Sequence, residues 1–111
     1  MDEVLRNLNK EAGVTGSAIV SRDGLVIAAA LGGDDEAVAG MAATVFQSAT
    51  VTGGSLSIGT VDIVTLEGET GKAFIVGLPE ALLVVLTNAD VNLGRLRIEI
   101  RKAAALLRTQ M

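Results

Sequence analysis

TVDIVTLEGETGKAFIVGL, residues Thr60 to Leu78, reads as a β-hairpin. Thr60 to Glu67 is rich in β-branched residues, Gly68-Glu69-Thr70-Gly71 supplies the turn, and Lys72 to Leu78 forms the returning strand. Pro79-Glu80 marks another turn. Beyond it Leu82 to Thr87 is almost continuously apolar, the pattern of a central strand covered on both faces.

Upstream, Gly53-Gly54 is expected to break a helix, and a connector runs through Leu56 and Ile58 to Gly59. That helix begins at the acidic cap Asp34-Asp35-Glu36 and runs from Ala37 to about Val51. Val38, Met41, Ala42, Val45 and Ala49 form one apolar stripe, suited to covering a sheet. Gly40, Ala43, Thr44 and Gln47 make a second surface of smaller residues, flat enough to receive another helix. Closer to the N-terminus, Gly16 to Ser21 and Leu25 to Ala30 flank Arg22-Asp23-Gly24, a strong hairpin signal because glycine accepts the positive φ of the turn. Val4, Leu5, Leu8 and Ala12 recur at helical spacing and predict a first helix over residues 2 to 12. A last helix starts near Asp90 or Asn92 and carries Leu93, Leu96, Ile100, Ala103 or Ala104, and Leu107 on one face. The element order is therefore α-β-β-α-β-β-β-α, an α+β chain, with no repeat or long linker.

Composition narrows the function. At 111 residues the chain fits one domain, residues 1 to 111. It has neither cysteine nor histidine, which removes disulfides, thiolate metal sites, a cysteine nucleophile and serine–histidine dyads. A net charge of −4 argues against a general affinity for nucleic acid, which needs a surplus of Lys and Arg. The longest apolar run, Leu25 to Leu31, falls far short of the roughly 20 residues of a membrane span, and no secretory signal opens the chain. A soluble, cytoplasmic protein without membrane insertion is expected.

Four features compete as chemistry. Gly68-Glu69-Thr70-Gly71-Lys72-Ala73 superficially suggests a phosphate loop, but a Walker loop needs four residues between its glycines, a Ser or Thr after the Lys, and a following helix. Asp34-Asp35-Glu36 offers carboxylates to a divalent cation, although helix capping explains them more simply. Arg95, Arg97, Arg101, Lys102 and Arg108 read as a solvated helix face without interleaved aromatics. Ser17, Ser21, Thr44 and Ser48, with Lys10, Lys72 and Lys102, show no spacing that sets a nucleophile beside an activating group. No catalytic residue, metal site or cofactor is implied.

The order of elements and several local signatures together resemble the roadblock/dynein light chain family across essentially the whole chain. These signatures are Gly13-Val14 and Gly16, Asp23-Gly24, the Ala-rich helix around Gly40 to Ala43, Leu66-Glu67-Gly68-Glu69 with Gly71, Leu82 to Leu86, and Leu93-Gly94. The resemblance implies a roadblock/profilin-like sandwich: a five-stranded antiparallel sheet with the second helix on one face and the two terminal helices on the other. It also implies a homodimer in which the strand Thr60, Val61, Asp62, Ile63, Val64, Thr65 pairs with its two-fold copy, while Gly40, Ala43, Thr44, Gln47 and Val51 meet the second copy's helix. The residues agree, since a strand apolar in both phases and free of proline invites association if left as a bare edge. Members of the family commonly serve small Ras-like GTPases or motor complexes as dimeric platforms. The resemblance thus implies a non-catalytic module that presents Met41, Thr44, Gln47 and Ser48 to a Ras-like GTPase, or else a purely structural adaptor. A small-ligand sensor is a third reading, and it requires a deep pocket with convergent polar groups.

Overall fold

The computed structural model describes residues 1–111. Its elements are α1 (Asp2–Asn9), β1 (Val14–Ser21), β2 (Val26–Ala30), α2 (Asp35–Ser55), β3 (Ile63–Glu67), β4 (Gly71–Gly77), β5 (Ala81–Asn88) and α3 (Leu93–Thr109). The strands form one sheet in the order β2-β1-β5-β4-β3, and every neighbouring pair is antiparallel. The expected architecture is what the chain adopts.

β5 occupies the centre because it is apolar in both phases. Leu83 and Val85 point to one side, with Ile19, Phe74 and Val76 of the flanking strands, and are covered by Leu5 and Leu8 of α1 and by Leu96, Ile100 and Leu107 of α3. Leu82 and Val84 point to the other side, with Ala18, Val20 and Ile75, and are covered by Ala39, Ala42, Ala43 and Phe46 of α2. Each face therefore has its own core, and the helices divide between them as expected.

Several boundaries differ from the sequence reading. α1 stops at Asn9 rather than residue 12, because Asn9 is drawn into the sheet: its Nδ2 donates to the Ala30 carbonyl at 2.9 Å and its Oδ1 accepts from Ser17 Oγ at 2.7 Å. Gly13, at φ 91°, then turns the chain into β1, which starts at Val14, earlier than the Gly16 expected. The larger correction concerns α2, which continues through Gly53-Gly54 to Ser55. Gly53 is a contact glycine rather than a breaker, since a Cβ there would lie 2.7 Å from Val61 Cγ2. The helix ends two residues later, where the Leu56, Ser57 and Ile58 amides bond back to Thr52, Gly54 and Gly53.

That contact also shortens β3. With Val61 packed against the α2 side, Thr60 to Asp62 approach the sheet without joining it, and the strand begins at Ile63 instead of Thr60. Asp62 still accepts a bond from the Gly77 amide at 2.8 Å. β3 and β2 are the two sheet edges.

Phe46 is the aromatic anchor of the α2 core, 3% exposed, and Arg22 lies 5.4 Å from its ring centroid while donating to the Leu78 carbonyl at 2.6 Å. Its neighbours are mostly alanines and valines, too short to refill the space. Phe46→Ala should therefore destabilise the chain by about 3–5 kcal/mol, read as a drop in the urea midpoint at unchanged slope.

Candidate interaction surface

The surface of interest is built from α2 and the β3 edge. Between Glu36 and Asp62 the chain has no charged side chain, so α2 presents a neutral face to solvent along most of its length. Its outward ridge includes Met41, 61% exposed, and Val51, 64% exposed, with Thr44 and Ser48 between them. Three threonine hydroxyls of this helix are turned onto its own backbone: Thr44 Oγ1 donates to the Gly40 carbonyl, Thr50 to Phe46 and Thr52 to Ser48, at 3.0, 2.9 and 2.8 Å. Each hydroxyl satisfied in this way leaves its methyl group outermost, which makes the ridge less polar than its composition suggests.

Beside the ridge lies a groove of about 300 Å³ lined wholly by apolar residues: Val38, Met41, Ala42 and Val45 of α2, Leu66 of β3, Ala73 and Ile75 of β4, and Val84 and Leu86 of β5. It exists because α2 is packed mainly over β1 and β2 and leaves much of the β3–β4 flank of its face uncovered. Leu66 remains 47% exposed there, and Ile63 is 44% exposed on the opposite face of the same strand. Apolar groups on both faces of an edge strand are costly to leave in water.

The structure brings most of the expected interface residues to this region, with two corrections within α2. Ala43 is buried at 7% exposure and faces the β1–β2 hairpin of its own chain, where a Cβ on Gly24 would meet Gly40 Cα at 3.3 Å and Ala43 Cβ at 3.8 Å. Ala43 thus seats that hairpin, with the Gly40 Cα beside it, while Gly40 itself, Thr44, Gln47 and Val51 remain exposed. Met41, assigned to the stripe covering the sheet, stands on the groove's outer lip instead. The covering stripe is centred on Ala39, Ala42 and Phe46, and the heavy Phe46 was the signal that would have placed it. Thr60 and Asp62 lie at the approach to β3, and Val61 is spent on the contact with Gly53. The exposure of Leu66, Ala73 and Leu86 is not legible in the sequence, because it depends on where the helix sits.

The alternative chemistries find little support. Asp34 Oδ1 accepts from the Ala37 amide at 3.2 Å as an N-cap, and no group of three or more acidic residues is placed to hold a metal ion. Gly68 and Gly71 close a hairpin through a 2.9 Å backbone bond, with β4 rather than a helix following. Ser17 is buried against Asn9, Ser21 bonds Asp23 in its own turn, Lys72 reaches the Ala89 carbonyl at 3.4 Å and Lys102 pairs with Glu99 at 3.5 Å. An open cleft of about 510 Å³ between the first hairpin and α2 contains Ser21, Arg22, Asp23, Gln47, Thr50 and Glu80. Four of these, Ser21, Arg22, Asp23 and Thr50, already bond within the chain, which leaves fewer groups to converge on a ligand. No helix is long and apolar enough to cross a membrane.

With this geometry in view, the class of protein is defined: the chain belongs to the Roadblock/LC7 domain family, whose model matches residues 1–87. An uncharacterised protein of Methanocaldococcus jannaschii is 46% identical over 106 residues, spanning 94% of this chain and 93% of that protein. Among solved structures, a Roadblock/LC7 domain from Streptomyces avermitilis superposes with a TM-score of 0.92 at 20% identity, covering 99% of this chain and 96% of that one. Myxococcus xanthus MglB superposes with a TM-score of 0.90 at 21% identity, covering 96% and 84%. At these identities the structural likeness speaks to the fold.

If Asp34 serves as a cap, Asp34→Ala should cost about 1 kcal/mol in thermal or urea unfolding. Millimolar Mg²⁺ or Ca²⁺ should leave the wild-type transition where it is, whereas a cation site would raise it.

Proposed function

We propose that the chain is a non-catalytic module that forms a homodimer through its β3 edge and apolar groove, and that the paired α2 ridges bind a small Ras-like GTPase. The observation that carries this reading is the continuity of an uncharged helix ridge, an all-apolar groove and an open sheet edge in one surface. Pairing β3 with a second copy satisfies the edge and brings the second α2 over the exposed groove. At roughly 25 cal/mol per Å² of apolar surface removed from water, covering such a patch opposes the entropic cost of association.

Membership of the family supports the class of partner, since its members commonly serve Ras-like GTPases. Met41, Thr44, Gln47 and Ser48 on the outward side of α2 are the proposed contacts. α2 carries no arginine or lysine, so its ridge supplies no charge to a transferring phosphoryl group. Any effect on nucleotide turnover would arise from binding the GTPase switch segments better in one state than the other. The same lack of a cationic group favours, as second reading, an adaptor that binds without altering turnover. A partner of this class places the protein in the cytoplasm.

Three measurements test the proposal. In multi-angle scattering at micromolar concentration the wild type should have twice its chain mass of 11.3 kDa. Thr65→Pro, which removes an outward N–H at an edge where proline is tolerated, should fold and run as a monomer. Pull-downs with Ras-like GTPases loaded with GDP or a GTP analogue should show state-dependent capture, lost in Ser48→Glu, which lies outside the groove and should leave the dimer mass unchanged. Failure of every such GTPase to bind in either state would end the partner assignment, and single-turnover GTP hydrolysis separates regulator from adaptor.

A further inference from the structure

Arg97 and Arg101 hang over the free β3 edge on the face opposite α2. With Ile100 they border a small cavity of about 100 Å³ that also contacts Ile63, Thr65 and Phe74. Neither arginine makes an ion pair, those of α3 being Arg95–Glu11 and Lys102–Glu99, although Asp62 borders the adjoining cleft with Arg101 and Arg108. In a chain of net charge −4, two unpaired guanidinium groups over an unpaired strand are an unmatched feature. Glu67 is the complementary one: it is exposed, lacks a cationic partner, and sits opposite Lys72, which is engaged with the Ala89 carbonyl.

Backbone geometry limits how a second copy can meet this edge. Asp62 and Gly68 bond inward to β4, so in an antiparallel ladder the residues whose N–H and C=O point outward are Ile63, Thr65 and Glu67. Their side chains share the face of Thr65's partner Phe74 and Ile63's partner Val76, which is the α3 face. Opposed residues in an antiparallel pair point to the same face, so a two-fold axis through the sheet must pass through a residue rather than between two. With Thr65 on the axis, Thr65 meets its own copy and Ile63 meets Glu67, and all three outward residues are paired. With Val64 or Leu66 on the axis, one outward residue on each chain faces a position outside the strand.

We propose that β3 pairs with a second copy with Thr65 on the two-fold axis, so that Glu67 of each chain lies beside Ile63 of the other and pairs with its Arg101, with Arg97 adjacent. This rests on the homodimer reading and adds to it a register and the charges that select it. Ile63 lines the cavity together with Arg101, so the axis delivers Glu67 to the arginines that lack a partner. Slipping the register by two residues moves that carboxylate one pair along the strand and leaves backbone groups open.

The chain contains no cysteine, which allows single thiols to report the register. Thr65→Cys should form a disulfide dimer under mild oxidation, because self-opposed Cα atoms lie about 5.5 Å apart, within disulfide range. Val64→Cys and Leu66→Cys should remain uncrosslinked. Glu67→Arg should weaken the dimer roughly tenfold at low salt, through two symmetric contacts each turned from attraction to repulsion, and Glu67→Arg with Arg101→Glu should recover most of that loss. Crosslinking through Val64→Cys or Leu66→Cys in place of Thr65→Cys, or a Glu67→Arg dimer indistinguishable from wild type at low salt, overturns the register while leaving the homodimer standing. A monomeric wild type removes both.

Discussion

The central strand β5 is the constraint on which the rest of the structure depends. Hydrogen-bonded to β1 on one side and β4 on the other, and apolar in both phases from Ala81 to Val85, it must be covered above and below. One helical layer cannot do this, so the chain supplies α1 and α3 to one face and α2 to the other. The shorter strands β2 and β3 are thereby displaced to the edges, and of these β3 is the less protected, with four of its five residues exposed against two of five in β2.

How α2 covers its face has a second consequence. Ala39, Ala42 and Ala43 present little bulk, so the helix can lie close to the sheet, with Phe46 as its one large anchor. A thin helix covers a narrow strip. Lying mainly over β1 and β2, it leaves Leu66, Ala73 and Leu86 beside it in an apolar trough, and Gly53, rather than ending the helix, lets Val61 close in. The same economy of side-chain size that packs the core opens the surface proposed for association.

Charge is divided between the layers. Of nine basic residues, Arg95, Arg97, Arg101, Lys102 and Arg108 lie on α3, whereas α2 has acidic residues only in its first turn and no charge thereafter. The two faces of the sheet therefore offer different recognition chemistry. A neutral ridge suits a partner recognised by shape and apolar contact, and a positive flank over the β3 edge suits carboxylates delivered along that edge.

By itself the sequence determined the number, kind and order of elements, the central place of Leu82 to Thr87, and the exclusion of histidine- and cysteine-based chemistry. Periodicity and turn residues are local signals, and each was legible within a few residues of its cause. Element ends were less legible where a distant group intervened, as when Ala30 and Ser17 held Asn9 out of a longer α1, or when Val61 found Gly53. Only the tertiary structure decided which α2 residues face inward, burying Ala43 against the Gly24 hairpin and leaving Met41 on the lip of a groove. The reason is physical: a helix of small residues with apolar groups around much of its circumference has no strongly preferred buried side. Its rotation was set by the single large Phe46 and by the backbone approach at Gly24, contacts between segments far apart in the chain.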